Sequence, residues 1–310
     1  MARSEGRASV DYSVDFNGQV ACETAPDVAA CGGMAVYLYA LFDGASAGIE
    51  PGAAPDLDVA GGGGPLSPPI LHLAGPIAAL IGMVPLSEYS GPDAAQHLGD
   101  LAWLAPRTMQ HAAVLRRAMQ ASPASPIYPA PFATLFASRS SLSAFMLAHA
   151  QTLGEFFRDL AGMAEWELKA SACIDSRAAL EALARDACPG WAQLAPGTRH
   201  LRLCRDRPGL VAAGRALAQT VAMRLAEQLQ PPAAAVRRLG LQPAAESDSG
   251  ELVGRFALLV PLGGAGVLAQ RAQKLTDEAA AQRIILSLSG PWPPFSFRPD
   301  LPRPPPPAAA

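Results

Sequence analysis

The segment Leu288–Phe297, LSGPWPPFSF, places three prolines and three aromatic side chains within ten residues. It follows a β-prone run at Arg283–Leu288 that predicts a final strand. Because proline fixes φ, the exit from this strand should be rigid at little entropic cost. Each aromatic side chain can contribute roughly 1.5–3 kcal/mol if it is buried. We therefore expect a clasp over the C-terminal sheet. The alternative, a polyproline ligand, fits Pro304–Pro307 better.

The composition limits the classes of function. Charged residues make up 16% of the 310 residues, and the net charge is −3. Nucleic-acid binding, which needs a concentrated basic face, is therefore not expected. The five cysteines include no C-x-x-C pair, so neither a disulfide framework nor a cysteine metal knuckle is predicted. A surface with few charges suits a protein that contacts another protein.

One stretch, Pro68–Leu86, carries no charged residue and approaches the ~20 residues that a membrane-spanning helix requires. However, Pro76 and two glycines interrupt it, and His72 lies inside it. Two buried strands joined by the Gly75-Pro76 turn explain the pattern better. We expect no membrane span.

The first half of the chain predicts a small sheet with helices. Met34–Phe42 is a β-rich run that a turn ends. Asp93 is expected to cap a first helix, and a second should cover residues 108–120 with Pro106 in its first turn. Apolar residues at helical spacing predict a further helix from about Ser141 to Ala161.

The second half predicts three strands separated by helices. Glu165–Ile174 alternates apolar and polar residues, and Glu251–Pro261 is largely apolar. Both patterns predict strands. Helices fill most of the chain between them, up to about residue 230. Val267–Ala281 should form one more helix before the final strand.

These elements predict an α+β fold of two domains, each a small mixed or antiparallel sheet with helices packed on it. The C-terminal domain is expected to be ferredoxin-like with a long helical insertion. The expected boundaries are a disordered N-terminal tail at 1–33, domains at 34–162 and 163–298, and a Pro/Ala-rich disordered tail at 299–310.

A dinucleotide-type motif, Gly264-Ala-Gly-Val-Leu-Ala269, follows a strand and precedes a helix. No acidic residue follows the next strand to bind a ribose, so a turn that starts a helix is the better interpretation. The motif keeps one alternative open, which is a ligand- or nucleotide-binding regulatory module of ferredoxin-like type.

No catalytic constellation emerges from the sequence. Asp248-Ser249-Gly250 lacks the second glycine of a nucleophile elbow. No two of the five histidines lie four residues apart, and we find none at ligand spacing from a cysteine. Neither a metal, nor a cofactor, nor an enzymatic activity is expected.

Five stretches of the chain are unusual and occur in a fixed order. They are Val36-Tyr-Leu-Tyr39, the helix with His111, Pro129-Ala-Pro-Phe-Ala-Thr134, Glu165-Trp166 with Lys169, and Gly290–Phe297. In this order they resemble the gas vesicle protein F/L family (GvpL/GvpF), whose members finish on a similar Gly-Pro-Trp-Pro-Pro-aromatic signature. The resemblance covers about residues 34 to 298.

The resemblance implies a non-enzymatic, two-domain α+β protein of the gas vesicle, a protein-walled organelle of the cytoplasm. Such a protein is a minor shell component or assembly factor that binds the shell protein GvpA, with other gas vesicle accessory proteins as further partners. The matching residues, for which structural roles are expected, are Tyr37, Tyr39, His111, Pro129, Phe132, Thr134, Glu165, Trp166, Lys169, Gly290, Pro291, Trp292, Pro293, Pro294, Phe295 and Phe297.

Two positions depart from the family pattern, which is close to Pro-x-Arg-Phe-Gly-Thr. Pro131 stands at the arginine position and Ala133 at the glycine position. A polar contact made by that arginine in relatives would therefore be missing. If a strand face binds the partner, Tyr37 with Tyr39, or Glu167 with Lys169, are the candidate contacts.

Overall fold

The computed structural model describes residues 9–14, 20–25, 33–45, 69–89, 94–230, 232–241 and 250–302. The chain divides into two compact units, and the α+β prediction is confirmed for both. Unit 1 comprises Met1–Met163 and Pro293–Ala310, whereas unit 2 comprises Ala164–Trp292.

An antiparallel hairpin lies within the segment that we predicted to be an N-terminal tail. Its strands are β1 (Ser9–Val14) and β2 (Val20–Ala25), which pair over their full length. The other residues of that segment, up to Gly32, lie outside the described part of the chain.

Unit 1 is built on an antiparallel sheet whose central strand, β3, is buried on both faces. The strand order is β4-β5-β3-β6, and β7 also pairs with β3. The predicted pair of strands around Gly75-Pro76 is confirmed as β4 and β5, with Gly75 at a φ of 58° in the turn. The strands are β3 (Met34–Asp43), β4 (Ile70–Ala74), β5 (Ile77–Pro85), β6 (Tyr128–Pro129) and β7 (Leu135–Phe136).

The helices of unit 1 are α1 (Leu86–Tyr89), α2 (Ala94–Gly99), α3 (Leu101–Ala121), α4 (Arg139–Ala148) and α5 (Ala150–Asp159). The helix predicted over 141–161 is thus two helices, which meet at His149. Ser138 starts the first of them with a reciprocal capping box to Ser141.

Helix α3 begins seven residues before the predicted start at Thr108. Asp100 is its N-cap, and the carboxylate accepts the N–H of Ala102 at 2.9 Å. Pro106 therefore lies inside the helix, beyond the first turn where the sequence placed it. Asp93, the predicted cap, lies outside the described residues.

Unit 2 carries a four-stranded sheet of β8 (Met163–Ala172), β9 (Ala235–Arg238), β10 (Glu251–Pro261) and β11 (Ile284–Trp292) in the order β11-β8-β10-β9. Helices α6 (Arg177–Ala187), α7 (Pro196–Glu227) and α8 (Ala265–Ala281) complete it. The short strand β9 had no counterpart in the prediction.

The core of unit 2 lies between its sheet and helices α7 and α8. Leu168, Val260, Leu225 and Leu268 are among its buried members. The succession of one strand, helices, two strands, a helix and a strand supports the ferredoxin-like arrangement, which stays a prediction in its details.

The chain from Pro293 onward belongs to unit 1, and Leu288–Trp292 belongs to β11 of unit 2. We had predicted that the whole segment Leu288–Phe297 forms a clasp over the C-terminal sheet, in a domain that ends at residue 298. Phe295 packs against the unit 1 core, and the Arg298 guanidinium donates to the carbonyl of Pro129 at 3.0 Å. Further along, the hydroxyl of Tyr128 donates to the carbonyl of Pro299 at 3.4 Å. Residues 303–310 of the predicted tail lie outside the described chain.

Gly290 generates a prediction about the end of β11. Its φ is +145°, and a Cβ there would lie 2.9 Å from the Trp166 ring and 3.1 Å from the carbonyl oxygen of Glu165. We expect Gly290→Ala to lower the free energy of unfolding of unit 2 by about 2 kcal/mol, because both the backbone and the ring must shift. Urea unfolding followed by circular dichroism measures the loss.

Gly266→Ala is the matched control, because the added methyl group on α8 meets nothing within 4 Å. This variant should unfold like the unmodified chain or be up to about 1 kcal/mol more stable. Equal stability of the two variants would contradict the tight contact at Gly290.

Candidate functional site

A buried aromatic–histidine cluster lies on one face of the unit 1 sheet. Strand β3 supplies Tyr37 and Tyr39, which share a face because successive strand residues alternate. Helix α3 supplies His111, whose ring lies 5.7 Å from the Tyr37 ring and stacks on the Tyr39 ring at 5.6 Å. Phe132 closes the cluster with its edge toward His111. Solvent reaches almost none of these side chains.

The cluster is held by a hydrogen-bond chain centred on Tyr37. The Tyr37 hydroxyl lies 2.8 Å from Nδ1 of His111, and the Ala133 N–H donates to the same hydroxyl at 3.2 Å. Since that oxygen already accepts from Ala133, we assign the tyrosine proton to the bond with Nδ1. This assignment places the imidazole proton on Nε2. One hydroxyl thereby joins β3, α3 and the loop after β6.

Burial keeps the cluster uncharged at neutral pH. It lowers the pKa of His111 to about 4, and the carbonyl of Ala130 opposes this shift without forming a well-aligned hydrogen bond to Nε2. Burial also raises the pKa of Tyr37 well above its usual value, and that of Tyr39 rises for the same reason. An acid–base catalyst at neutral pH needs a pKa near 7, and none of these groups meets that requirement.

An ion pair borders the cluster. The Arg107 guanidinium bonds to the Glu88 carboxylate at 2.7 Å and lies 3.9 Å above the centre of the Trp103 ring. The His97 ring stacks on Trp103 at 5.1 Å. The nearby Tyr89 hydroxyl is buried, which raises its pKa to about 12. We did not identify this group from the sequence, although Trp103 and Arg107 are one helical turn apart.

The loop Pro129–Thr134 is also attached to β3 by main-chain hydrogen bonds. Its Ala130 N–H donates to the carbonyl of Tyr39 at 2.9 Å, and the N–H of Leu38 donates to the carbonyl of Thr134 at 2.9 Å. Ala133 has a φ of 61°, a left-handed conformation that favours glycine. Ala133 therefore occupies a position at which the positive φ explains the glycine of the family pattern.

A second group of motif residues lies in unit 2. Glu165 is buried, and Trp166 lies beneath Gly290. Lys169 is exposed and pairs with Glu167 at 3.4 Å, while Arg255 on the adjacent strand binds the other oxygen of the Glu167 carboxylate.

Comparison with known proteins decides the family. The model of the family described as "Gas vesicle synthesis protein GvpL/GvpF" matches residues 35–299. The chain belongs to the GvpL/GvpF family. The GvpL/GvpF resemblance seen in the sequence is thereby confirmed.

Two solved GvpF structures share the fold. The gas vesicle protein GvpF from Anabaena sp. PCC7120 aligns over 86% of this chain and 97% of its own, with 16% identity and a TM-score of 0.58. GvpF from Microcystis aeruginosa aligns over 86% and 99%, with 17% identity and a TM-score of 0.54. No curated protein matches the chain.

The GvpL/GvpF motif residues divide between the two units. Unit 2 holds Glu165, Trp166, Lys169, Gly290, Pro291 and Trp292. Unit 1 holds Tyr37, Tyr39, His111, Pro129, Phe132, Thr134, Pro293, Pro294, Phe295 and Phe297. Of the whole set, Lys169, Pro291 and Trp292 are exposed, and the others are buried or half-buried.

The remaining chemistry of the described residues is sparse. Across these parts of the chain, no three His, Cys, Asp or Glu side chains are placed to hold one metal ion. The claim that no histidine lies at ligand spacing from a cysteine is wrong: His200 and Cys204 lie one turn apart on α7, with Nε2 and Sγ separated by 3.7 Å. Among the described helices, none has the length and apolar character to span a membrane.

The dinucleotide-type motif starts a helix, as its favoured interpretation had it. Leu262–Gly264 form a 3-10 turn that leads directly into α8.

A cavity of about 360 Å³ lies elsewhere in unit 2, between α6 and α7, and Trp191, Arg202 and Cys188 contribute to its lining.

His111 generates a prediction of pH dependence. Its pKa is lower in the folded chain (about 4) than in an unfolded one (about 6.5), so the unfolded chain binds the proton first as the pH falls. Unit 1 should therefore lose about 3 kcal/mol of stability between pH 6.5 and pH 4 through this residue. Urea unfolding of the unmodified chain and of His111→Gln across this pH range measures the difference, which should shrink as the pH falls.

Tyr37→Phe is the control, because it removes the hydrogen bond but keeps the imidazole. It should cost about 1 kcal/mol near neutral pH and retain the same loss of stability toward pH 4. A His111→Gln variant with an undiminished pH dependence would contradict the assignment.

Ala133 generates a prediction about the loop. Ala133→Val should lower the stability of unit 1 by about 3 kcal/mol, because a β-branched residue is strained at positive φ and the site is full. In Ala133→Gly, relief of strain offsets the lost methyl group, so stability should change by less than about 1 kcal/mol. Thermal unfolding of both variants checks this, and a stable valine variant would rule out the left-handed turn.

Proposed function

We propose that this chain is a non-enzymatic protein of the gas vesicle that binds the shell protein GvpA and supports gas vesicle formation. The family match over residues 35–299 carries the proposal, because it spans both sets of motif residues. The protein would act at the gas vesicle in the cytoplasm, as a minor shell component or as an assembly factor, with other accessory proteins as further partners.

The state of the motif residues supports a structural role for most of them. Tyr37 and His111 are buried and neutral at pH 7, and their polar atoms serve to join β3 to α3. Side chains used in this way stabilise the fold and are not accessible to a substrate. In this proposal the buried motif residues maintain the fold, and GvpA binds to exposed surface.

We place the proposed contact with GvpA at the exposed motif residues. Tyr37 and Tyr39 are fully buried, so they do not contact a partner in the folded chain. Lys169 is different, since 47% of its side chain is exposed and its bond to Glu167 leaves two ammonium protons available. It lies on β8 beside β11, the strand that ends in exposed Pro291 and Trp292.

Co-purification tests the proposed partner. The tagged full chain is co-expressed with GvpA and captured at roughly physiological salt, with the tag alone as the negative control. We expect GvpA to remain bound through gel filtration. Clean separation of GvpA from a folded chain would contradict the proposed interaction.

The two lysines of the chain provide a matched pair for locating the contact. Lys169→Gln should reduce GvpA capture several-fold, because the variant loses the exposed charge on β8. Lys274→Gln removes the other lysine, on α8, and should bind like the unmodified chain. Equal capture by both variants would exclude the β8 surface while leaving the interaction itself intact.

A further inference from the structure

Strand β11 is an open edge of the unit 2 sheet. It pairs with β8 in continuous register from Ile284 to Ser289 and ends the strand order β11-β8-β10-β9. In an antiparallel strand, alternate residues direct their N–H and C=O groups away from the paired neighbour. No other strand of the described chain pairs with that outer side. A row of main-chain donors and acceptors is thus available to another β-strand.

This edge lacks the protection that natural edge strands usually carry. Over the part of β11 that pairs in continuous register, Ile284–Ser289, there is no charged residue and no proline, and 51% of Ile285 is exposed. Pro291 lies beyond this part, within the register shift near the end of the strand. The opposite edge, β9, has only four residues and ends in Arg237 and Arg238. Charged side chains and short strands discourage pairing at an edge, whereas a long neutral strand permits it. The contrast between the two edges of one sheet singles out β11.

Helix α8, which covers β11, also presents uncharged side chains near this edge. Helix α8 packs on β11, and its Arg271 side chain faces the end of α7, where it donates to the carbonyl of Gln228 at 2.7 Å. With 3.6 residues per turn, the opposite flank of α8 carries Ala269, Gln273 and Thr276. These uncharged side chains would let a second structural layer approach beyond the edge, and the exposed Asp277 follows one turn after Gln273.

The edge is complementary to itself. An antiparallel pair of β11 strands with its two-fold axis at Ser287 would set Leu286 of one chain opposite Leu288 of the other. Both leucines are half-buried against the unit 2 core and leave apolar area exposed at the edge. On the other face, Ile285 would meet a serine, Ser289. Each contact is apolar or small, and like charges face each other at no position of the strand.

We propose that β11 is a dimerisation edge, through which two copies of this chain pair into one continuous sheet around a two-fold axis near Ser287. Main-chain hydrogen bonds and the leucine pairs would stabilise the dimer, and the flanks of the two α8 helices would meet above it. A symmetric contact of this kind uses the same patch on both copies and closes after two.

A disulfide trap tests the proposed axis directly. In the dimer, residue 287 faces its own copy at a Cα–Cα distance of about 4.5–5.5 Å, which suits a disulfide. Ser287→Cys should therefore form a covalent dimer under mild oxidation, beyond any formed by the unmodified chain with its own cysteines. Ser171→Cys is the matched control, because it lies on the inner strand β8 opposite Ile285 and is too far from the axis to cross-link.

Sedimentation equilibrium of the full chain tests the association without cross-linking. Ser287→Lys places two like charges opposite each other across the axis and should raise the dimer Kd at least about tenfold. Val267→Lys adds the same charge at an exposed α8 position and should leave the Kd unchanged.

A folded unmodified chain that stays monomeric at the highest concentration that sedimentation equilibrium can measure would overturn the proposal. So would a dimer that Ser287→Lys does not weaken, since another surface would then be responsible. Amide protection of β11 by GvpA in a chain that is otherwise monomeric would assign the edge to a strand of that protein instead. The first two outcomes do not depend on whether GvpA binding itself is confirmed.

Discussion

The hydrogen bond between the Tyr37 hydroxyl and His111 Nδ1 joins the elements that form the core of unit 1. It lies where the doubly buried strand β3, helix α3 and the loop after β6 meet, and the Ala133 N–H shares the same oxygen. A buried hydroxyl without a partner would cost about 1–3 kcal/mol, so each of the three elements satisfies a polar group of another. The histidine fulfils this role only while it is neutral, and its low pKa keeps it so. The hydrogen bond thus joins the packed elements, and burial maintains the neutral state that the bond requires.

The Tyr37 hydroxyl also explains the conformation of the adjacent loop. To deliver its N–H to Tyr37, Ala133 adopts a positive φ, which costs an alanine about 1 kcal/mol or more. The hydrogen bonds from Ala130 and Leu38 on either side hold it there. The main-chain carbonyl of Pro131 accepts the Thr134 hydroxyl at 2.8 Å, a bond that any residue at position 131 could make. The two departures from the family pattern are therefore compatible with a loop that main-chain groups hold in place.

Local sequence determined much of this fold, but not its long-range contacts. The alternation of β8 and the Gly75-Pro76 turn between β4 and β5 were predictable, because the signals lie within each element. Strand β9 was missed since four residues ending in two arginines show no strand period. The return of Phe295 to unit 1 and the pairing of Tyr37 with His111, 74 residues away, depend on which surfaces meet. The motif residues could be located from sequence, whereas their role as buried packing groups required the tertiary structure.

The division between buried and exposed motif residues has a consequence for how such a protein can diverge. Residues that hold a core restrict one another, because each replacement leaves a cavity or an unpaired polar group. A main-chain edge such as β11 is restricted in another way, since its hydrogen bonds do not depend on the side chains, and only charge, proline or bulk would close it. At 16–17% identity, this chain shares the fold of two GvpF structures. Its outer surfaces, and with them its choice of partner, remain free to change.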